Sequence, residues 1–393
     1  MRMRQRWVDA PTPPETTQST DGPTSPLKVL HVLNSAMPSG AEVMLATAAA
    51  HWADRNIDCD LAERGVSGPF SPVLRQEGYR IHDVRASPPQ ATLTDLWRTV
   101  RRGGFDVVHV HTEYANFWLV LVGLAAGARV VRTVHACYPF YGGLRRERTV
   151  QRRLLRQLGV RTVAVSREVA RHEAQAFRNK AVVVTNWVDS QRFRPPAPDE
   201  RNAARRALGL ADNRPVLLTI GNCAPVKRHE FVLRAIESVP HAQYIHIGHE
   251  APDASERRLA HELGVDSRTT FVGPVSDVRP YLWAADLFLM PSAREGSSLA
   301  LAEALCSGIP CAVGDHPSLL ETTGGEEAFH FGSPEQLAAA LGPVTRADLR
   351  EWRARSQTSA DGFRIRFSPD RGVDDYATIY RAVLGRRTSQ ESC

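Results

Sequence analysis

The sequence contains two successive series of short apolar runs separated by helical patterns, and this alternation limits the fold more than any other feature. In the first series, β-branched residues concentrate in runs such as KVLHVL (28–33), DVVHVH (106–111) and ARVVRTV (128–134). The second series includes PVLLTIG (215–221) and ADLFLM (285–290). Continuous apolar strands with helices between them indicate parallel sheets that are covered on both faces. The sequence therefore predicts an α/β protein with two tandem, doubly wound, Rossmann-like domains.

A proline- and arginine-rich run separates the two series and places the domain boundary. This run, RFRPPAPDERNAARR (192–206), is typical of a linker. We predict a first domain over residues 27–194 and a second over 195–365. The segment 366–393 is expected to carry a helix that caps the second domain or crosses back to the first. Residues 1–26 predict a disordered tail and lack the apolar core of a signal peptide.

Composition excludes several classes of protein but does not name a partner. The net charge of +6 comes from arginine, which suits bidentate contact with phosphates but is also what a GC-rich genome encodes. The longest apolar run, 117–128, is shorter than the roughly 20 residues that a membrane span needs. The six cysteines form no CxxC pair and no Cys/His cluster with zinc spacing. We therefore expect a cytoplasmic protein with reduced thiols, without a metal ion and without a nucleic-acid partner.

The segment PSAREGSSLALAEALCSGIPCAV (291–313) carries the strongest chemical signal. An apolar strand leads into the loop SAREGS, and Ser298 is placed as the N-cap of a helix that ends at Gly308. Such a turn offers free backbone N–H groups and the positive end of a helix dipole, which suit a diphosphate. Glu295 and Glu303 lie beside it. By themselves these two acids could accept hydrogen bonds from the hydroxyls of a sugar, or they could be ordinary exposed carboxylates.

The same segment resembles the signature of the retaining family 4 glycosyltransferases, which have the GT-B fold. That signature reads roughly S-x-x-E-G-x-x-x-x-x-x-E-A-x-x-x-G-x-P-V. The matching residues here are Ser292, Glu295, Gly296, Glu303, Ala304, Gly308 and Pro310, with Cys311 in place of the usual valine. The family-like organisation extends over about residues 28–385. The resemblance implies two Rossmann-like domains that face a central cleft.

The resemblance also assigns residues on the donor side of this cleft. Glu295 would contact the hydroxyls of the transferred sugar, Glu303 the nucleotide ribose, and Lys227 the departing diphosphate. The donor-binding residues that it implies are Gly40, Asn222, Arg228, Val275, Gly296, Ser297, Ser298 and Glu303. Asn222 is a departure, since the family usually has an arginine there, and Arg228 is the nearest replacement.

The first domain supplies the opposite wall. Gly40 lies in a loop similar to the family's glycine-rich first loop, where a glycine allows close approach of the backbone. By resemblance, His135 would lie beside the reacting sugar, and we assign His111 to the acceptor side. Asn186 lies in a run similar to the family's domain junction, with Trp187 at the position of a glycine.

These residues predict a retaining, metal-independent glycosyltransferase that uses a nucleotide diphosphate-sugar, with UDP-sugar favoured, and a hydroxyl acceptor in glycan, glycolipid or secondary-metabolite biosynthesis. One alternative is an aminocyclitol-antibiotic glycosyl- or phosphoribosyltransferase with a small soluble acceptor. A nucleotide-sugar 2-epimerase and an inactive nucleotide-sugar binding protein are further alternatives. The D-x-D sequence at Asp58, Cys59 and Asp60 is a metal motif of another glycosyltransferase fold, but it lies far from the donor loops, and we expect no metal there.

An amphipathic helix is predicted over LRRERTVQRRLLRQL (144–158). Its apolar side would hold Val150, Leu154 and Leu158, and its opposite side would expose four arginines. Such a stripe suits peripheral contact with an anionic membrane at the inner face of the cell, or it is simply a solvated face. The arginines are Arg145, Arg148, Arg152 and Arg156.

Overall fold

A computed structural model describes residues 25–210, 214–325 and 328–385 of the chain. Two parallel sheets, each flanked by helices, form two Rossmann-like domains. The predicted α/β fold is therefore confirmed. The predicted tail lies outside the described residues, apart from residues 25 and 26. Within the described ranges, no helix combines the length and the apolar character needed to cross a membrane.

The first domain alternates strands and helices from its first described residues. Its elements are β1 (Leu27–Leu33), α1 (Gly40–Ala53), β2 (Ile57–Arg64), α2 (Ser71–Gln76), β3 (Arg80–Val84), α3 (Pro89–Gly103), β4 (Val107–Val110), α4 (Asn116–Ala125), β5 (Arg129–Val134), α5 (Gly142–Gln157), β6 (Arg161–Ala164), α6 (Arg167–Phe177) and β7 (Val182–Val183). The strand order is β3-β2-β1-β4-β5-β6-β7. The order reverses between β1 and β4, so a crevice opens beyond their carboxyl ends.

The second domain repeats this plan. Its elements are α7 (Pro198–Ala207), β8 (Val216–Ile220), α8 (His229–Glu237), β9 (Gln243–Ile247), α9 (Ser255–Glu262), β10 (Thr269–Gly273), α10 (Arg279–Ala284), β11 (Leu287–Met290), α11 (Leu299–Cys306), β12 (Cys311–Gly314), α12 (Pro317–Thr323), β13 (Ala328–Phe331), α13 (Pro334–Leu341) and α14 (Arg346–Arg366), followed by α15 (Pro369–Gly385). The strand order is β10-β9-β8-β11-β12-β13. This order reverses between β8 and β11, which places a second crevice there.

The predicted linker ends sooner than the sequence suggested, because α7 occupies its second half. Pro198 at the first turn removes an N–H that would have no partner, and Asp199 and Glu200 favour the positive end of the helix dipole. Arg205 of α7 is buried and donates to the carbonyl of Ala284 at 2.9 Å. The segment is therefore packed onto the second domain.

Helix α15 crosses back and packs on the first domain. Val373, Tyr376 and Tyr380 are buried in the same core as residues of α1. Trp187, which stands where the family pattern has glycine, donates from Nε1 to the carbonyl of Met44 at 2.9 Å. A Cβ on Gly372 of α15 would come within 1.9 Å of the Trp187 ring. The large ring at the domain junction is thus accommodated by a glycine in the returning helix.

Helix α5 has the opposite orientation from the one predicted. Arg152, placed in the exposed stripe, is only 3% exposed. Its guanidinium lies 3.0 Å from the carboxylate of Glu113 and 2.9 Å from that of Glu173. These two acids are largely shielded from water and need a cation, which explains why the arginine side of the helix faces inward.

The remaining side chains of α5 follow the same orientation. Arg145 and Arg156 donate to the backbone carbonyls of Ala176 and Arg178. Conversely, the predicted core residues are the exposed ones. These are Val150 at 57%, Leu154 at 43% and Leu158 at 51%. The predicted solvent-facing stripe is therefore interrupted: Arg152 is buried and Arg148 is half-buried, whereas Arg145 and Arg156 are exposed as predicted.

Replacement of the buried arginine should be costly. We expect Arg152→Met to lower the free energy of unfolding by about 3–5 kcal/mol, because it leaves Glu113 and Glu173 without their shared cation. Urea denaturation measures this difference. The matched control is Arg153→Met on the exposed side of the same helix, which should change stability by no more than about 0.5 kcal/mol. Equal effects of the two substitutions would contradict the observed orientation of α5.

Candidate functional site

Loops from both domains converge where each sheet reverses its strand order. In the first domain these loops follow β1, β4 and β5; in the second they follow β8 and β11. A cavity of about 310 Å³ lies between them. Residues of both domains line it, and they include Gly40, His111, His135, Asn186 and Ser297. The structure therefore brings Gly40 and Ser297, which are 257 positions apart in the sequence, to the same cavity.

Gly296 allows the two domains to touch at this cavity. A Cβ on Gly296 would approach the carbonyl oxygen of His135 to 1.8 Å, so only a glycine permits the observed contact. A Cβ on Gly40 would lie 3.7 Å from Cδ1 of Leu299. Gly40 begins α1 and Leu299 begins α11, so two helix N-termini meet here. Their free N–H groups and dipoles favour an anion between the domains.

Ser298 shapes the start of α11. Its side-chain oxygen accepts a hydrogen bond from the backbone N–H of Leu301 at 3.3 Å, which is the N-cap geometry that the sequence predicted. Ser298 is buried, whereas Ser297 lines the cavity. The cap therefore fixes the direction of the preceding loop, which carries Glu295 and Gly296.

Lys227 and Glu295 form an ion pair across two loops of the second domain. The distance from Lys227 Nζ to Glu295 Oε1 is 2.6 Å. The loops are also joined through their backbones, since Ala293 N donates to Val226 O at 2.8 Å. Ser318 Oγ donates to the backbone carbonyl of Glu295 at 2.9 Å. The two opposite charges compensate each other. The backbone hydrogen bond between the loops and the hydrogen bond from Ser318 keep Glu295 next to Lys227.

Asn222 and Arg228, the other residues assigned to this loop, have partners elsewhere. Asn222 Oδ1 accepts from the backbone N–H of His249 at 3.0 Å. The guanidinium of Arg228 lies 5.2 Å from the centroid of the Phe231 ring, in a cation–π contact. Arg228 also has a φ of 53°, a backbone conformation that favours glycine. Neither side chain joins the Lys227–Glu295 pair.

Glu303 lines a second and larger cavity, of about 750 Å³, that also runs between the domains. Val275 and Val278 lie along the same cavity. Burial raises the pKa of Glu303 to about 8, against the opposing effect of the Arg192 charge. At neutral pH this carboxyl is therefore largely protonated, and it can donate as well as accept a hydrogen bond.

Arg192 is a cavity residue that sequence reasoning missed. It lines the cavity with Glu303, and its guanidinium lies 3.2 Å from Asp277 Oδ1. The residue lies in the junction run TNWVDSQRF, where only Asn186 and Trp187 were considered. No local signal distinguishes it from the many other arginines, because its position depends on how the two domains face each other.

Three histidines form a chain from the smaller cavity into the first domain. His135 Nε2 lies 3.2 Å from His111 Nδ1, and His111 Nε2 lies 2.9 Å from His31 Nδ1. Burial lowers the pKa of His135 to about 4 and that of His31 to about 3. All three rings are therefore neutral at physiological pH, and they orient hydrogen bonds instead of supplying positive charge.

The raised pKa of Glu303 predicts a pH-dependent contribution to stability. The folded protein holds this proton up to about pH 8, whereas an unfolded glutamate releases it near pH 4.5. Stability should therefore fall as the pH rises through this window, by at most about 1.4 kcal/mol per unit. Chemical denaturation from pH 5 to 9 should show Glu303→Gln gaining stability relative to wild type as the pH increases. A constant difference would mean that Glu303 is ionised throughout; Glu262→Gln, an exposed glutamate, is the control.

Sequence comparisons place both halves of the chain in known families. The model described as Glycosyltransferase Family 4 matches residues 38–192, and that described as Glycosyl transferases group 1 matches residues 214–345. The chain is 27% identical over 395 residues to a D-inositol 3-phosphate glycosyltransferase from Mycobacterium marinum, with 89% of this chain and 82% of that protein covered. It is 25% identical over 349 residues to a putative glycosyltransferase EpsF from Bacillus subtilis, with coverage of 84% and 85%.

Solved structures show the same fold at lower identity. The Anabaena HepE protein in complex with UDP and glucose superposes with a TM-score of 0.79 at 20% identity, covering 91% of this chain and 100% of that one. A glycosyltransferase from Rickettsia africae also gives 0.79, at 17% identity, covering 92% and 99%. With the two family matches and the two-domain cleft, these similarities lead to one conclusion. The chain is a glycosyltransferase of the family 4 and group 1 type, with the GT-B fold.

Proposed function

We propose that this glycosyltransferase moves a sugar from a UDP-sugar to a hydroxyl acceptor, with retention of anomeric configuration and without a metal ion at the diphosphate. The Lys227–Glu295 ion pair, beside two converging helix N-termini, is the observation that carries this proposal. The cation and the N–H groups suit a departing diphosphate, and the carboxylate suits sugar hydroxyls. The likeness to a protein solved with UDP and glucose supports the choice of nucleotide.

Each part of the donor has a matching group in this proposal. Lys227 and the backbone N–H groups of residues 296–298 would stabilise the diphosphate, while Glu295 accepts from hydroxyls of the transferred sugar. Glu303 would bind the ribose in the larger cavity, where the backbone around Val275 faces the nucleobase. The site has no obvious nucleophile–base pair. We therefore propose front-face attack, in which the departing diphosphate takes the proton of the acceptor hydroxyl.

Away from the helix N-termini, where the donor diphosphate would bind, the smaller cavity favours an acceptor without phosphate groups. Glu42 and Glu113 line it, and its described lining contains neither lysine nor arginine. A phosphate placed there would meet acids instead of cations, whereas hydroxyls and amino groups would find acceptors. A polyol or aminocyclitol acceptor therefore fits better than the inositol phosphate that appears in the names of the mycobacterial relatives.

We further propose that the enzyme works in the cytoplasm and touches an anionic membrane through the exposed side of α5. Val150, Leu154 and Leu158 form an apolar row there, and Arg146 and Arg153 are exposed on the same helix. An apolar row with flanking cations suits the boundary of an anionic bilayer. This contact replaces the predicted arginine stripe, because Arg152 is buried and Arg148 is half-buried, so that only Arg145 and Arg156 of its four members are exposed.

A thermal-shift panel of UDP-, GDP-, ADP- and TDP-sugars, with phosphoribosyl diphosphate added, tests the donor. A UDP-sugar at 100 times its Kd should stabilise the protein by about 2.7 kcal/mol. The anomeric signal of the transfer product, measured by NMR, then tests retention, and an assay without added divalent metal ions tests metal independence at the diphosphate. Release of free sugar without an acceptor would favour a 2-epimerase, and binding without turnover would favour an inactive binding protein.

Loss of either member of the ion pair should abolish most of the transfer. We expect Lys227→Ala and Glu295→Ala each to lower kcat by about 10²–10³-fold, because each removes stabilisation of developing charge or of the positioned sugar. Circular dichroism should show that the fold is retained. Lys180→Ala and Glu262→Ala are matched controls at exposed positions and should keep full activity. Full turnover in both pair variants would remove the proposed mechanism.

The membrane contact predicts a specific effect of charge on α5. We expect Leu154→Glu to reduce co-sedimentation with phosphatidylglycerol vesicles by about tenfold or more, while transfer to a soluble acceptor is unchanged. Ile365→Glu removes a similarly exposed apolar side chain from α14 and should have no effect. If wild type fails to bind these vesicles, or if both variants bind equally well, the contact proposal fails.

A further inference from the structure

Three side chains of the second domain meet beside the loop that carries Lys227. Cys223 follows β8, His229 begins α8, and His246 lies in β9. The Cys223 sulfur and one nitrogen of each imidazole all lie within 4.8 Å of one another. The sequence offered no zinc-like spacing, because these ligands come from three different elements instead of one local motif.

The two imidazoles have unsatisfied nitrogens. His229 is 4% exposed and His246 is 0% exposed. Among the described residues, the Nδ1 atom of each ring has no hydrogen-bond partner. A buried polar group without a partner is unfavourable, so two such atoms in one cluster call for a ligand.

The remaining contacts fit a metal-bound arrangement. His246 Nε2 lies 2.9 Å from the backbone carbonyl of Gly221 and donates to it. Metal-binding histidines usually donate their other ring N–H to such a carbonyl, which leaves the second nitrogen with a free lone pair.

The cysteine completes the donor set. Its sulfur lies within 4.8 Å of one nitrogen of each imidazole. Thiolate sulfur and imidazole nitrogen are both common zinc ligands, with bonds of about 2.3 and 2.0 Å. Beside a divalent cation the Cys223 thiol is stabilised as its thiolate.

We propose that Cys223, His229 and His246 bind one zinc ion. One sulfur and two imidazole nitrogens favour zinc over magnesium or calcium, which prefer oxygen ligands. On binding, the Cys223 thiol loses its proton to solvent and becomes the thiolate ligand. The fourth position is left to water or to the carboxylate of Glu256.

The ion would brace the donor loop. Cys223 and His229 lie near the two ends of the segment 221–229, which contains Lys227, and His246 joins this segment to the neighbouring strand β9. A zinc ion bound there would fix the backbone of the segment that carries Lys227. It would take no part in the transfer of the sugar. The inference does not depend on the donor proposed above, since metal binding can be measured without any substrate.

A second cluster of histidines is the competing candidate for the metal site. His31, His109 and His111 also place one nitrogen each within 4.8 Å of one another. Several of these nitrogens already have partners, since His109 contacts Tyr380 and Thr133 at 2.7 Å each. This cluster contains no sulfur, so a spectroscopic probe that detects thiolate ligation distinguishes the two locations.

Cobalt substitution of the full-length protein tests the proposal. Protein stripped with chelator and titrated with Co²⁺ should bind one ion per chain and develop a thiolate-to-cobalt charge-transfer band in the near ultraviolet, with the visible bands of tetrahedral cobalt. Zinc should displace the cobalt and remove both signals. Cys223→Ser should lose the charge-transfer band, and His229→Gln and His246→Asn should each weaken Co²⁺ binding by at least about tenfold.

Matched variants make the outcome decisive. Cys59→Ser, a half-buried cysteine of the first domain, and His109→Gln in the competing cluster should both keep the band and the affinity. Circular dichroism identifies any variant that fails to fold, and the three ligand variants are judged independently. Absence of the band in wild type, its persistence in Cys223→Ser, or its loss in His109→Gln would each overturn the proposal.

Discussion

The ion pair between Lys227 and Glu295 is the interaction on which the donor site depends. It joins the loop after β8 to the loop after β11, at the point where the second sheet reverses its strand order. In this pair, Lys227 Nζ lies 2.6 Å from Glu295 Oε1. A sugar diphosphate offers an anion to the first and hydroxyls to the second, so the bound donor can exchange one compensated pair for two separate contacts.

The surrounding fold keeps this pair opposite the first domain. Gly296 packs directly on the backbone of His135, and α15 returns from the second domain into the core of the first. The close backbone contact would be lost with any side chain at Gly296, whereas the returning helix limits how far the domains separate. Catalytic groups carried by different domains can therefore act on one ligand.

Periodicity was sufficient for the fold, because strands and helices depend on local signals, whereas the donor loops assigned from motif spacing stay a prediction. The apolar strands, the N-cap at Ser298 and the division into two sheets follow from residues that are close in sequence. The orientation of α5 was predicted wrongly, since its pattern does not reveal that Glu113 and Glu173 require Arg152 on the inner side. Arg192 and the cluster around Cys223 were missed for a related reason: only the tertiary fold brings their partners together.

Calorimetric titration of UDP and of its sugar-bearing form against Glu295→Gln tests the central claim most directly. We expect that Glu295 competes with the diphosphate for Lys227 and that it also binds the transferred sugar. Glu295→Gln should therefore tighten UDP binding several-fold. It should not improve binding of the UDP-sugar to the same extent, because the lost sugar contact offsets the gain. A decrease in UDP affinity, or equal changes for both ligands, would contradict the proposed exchange at the ion pair.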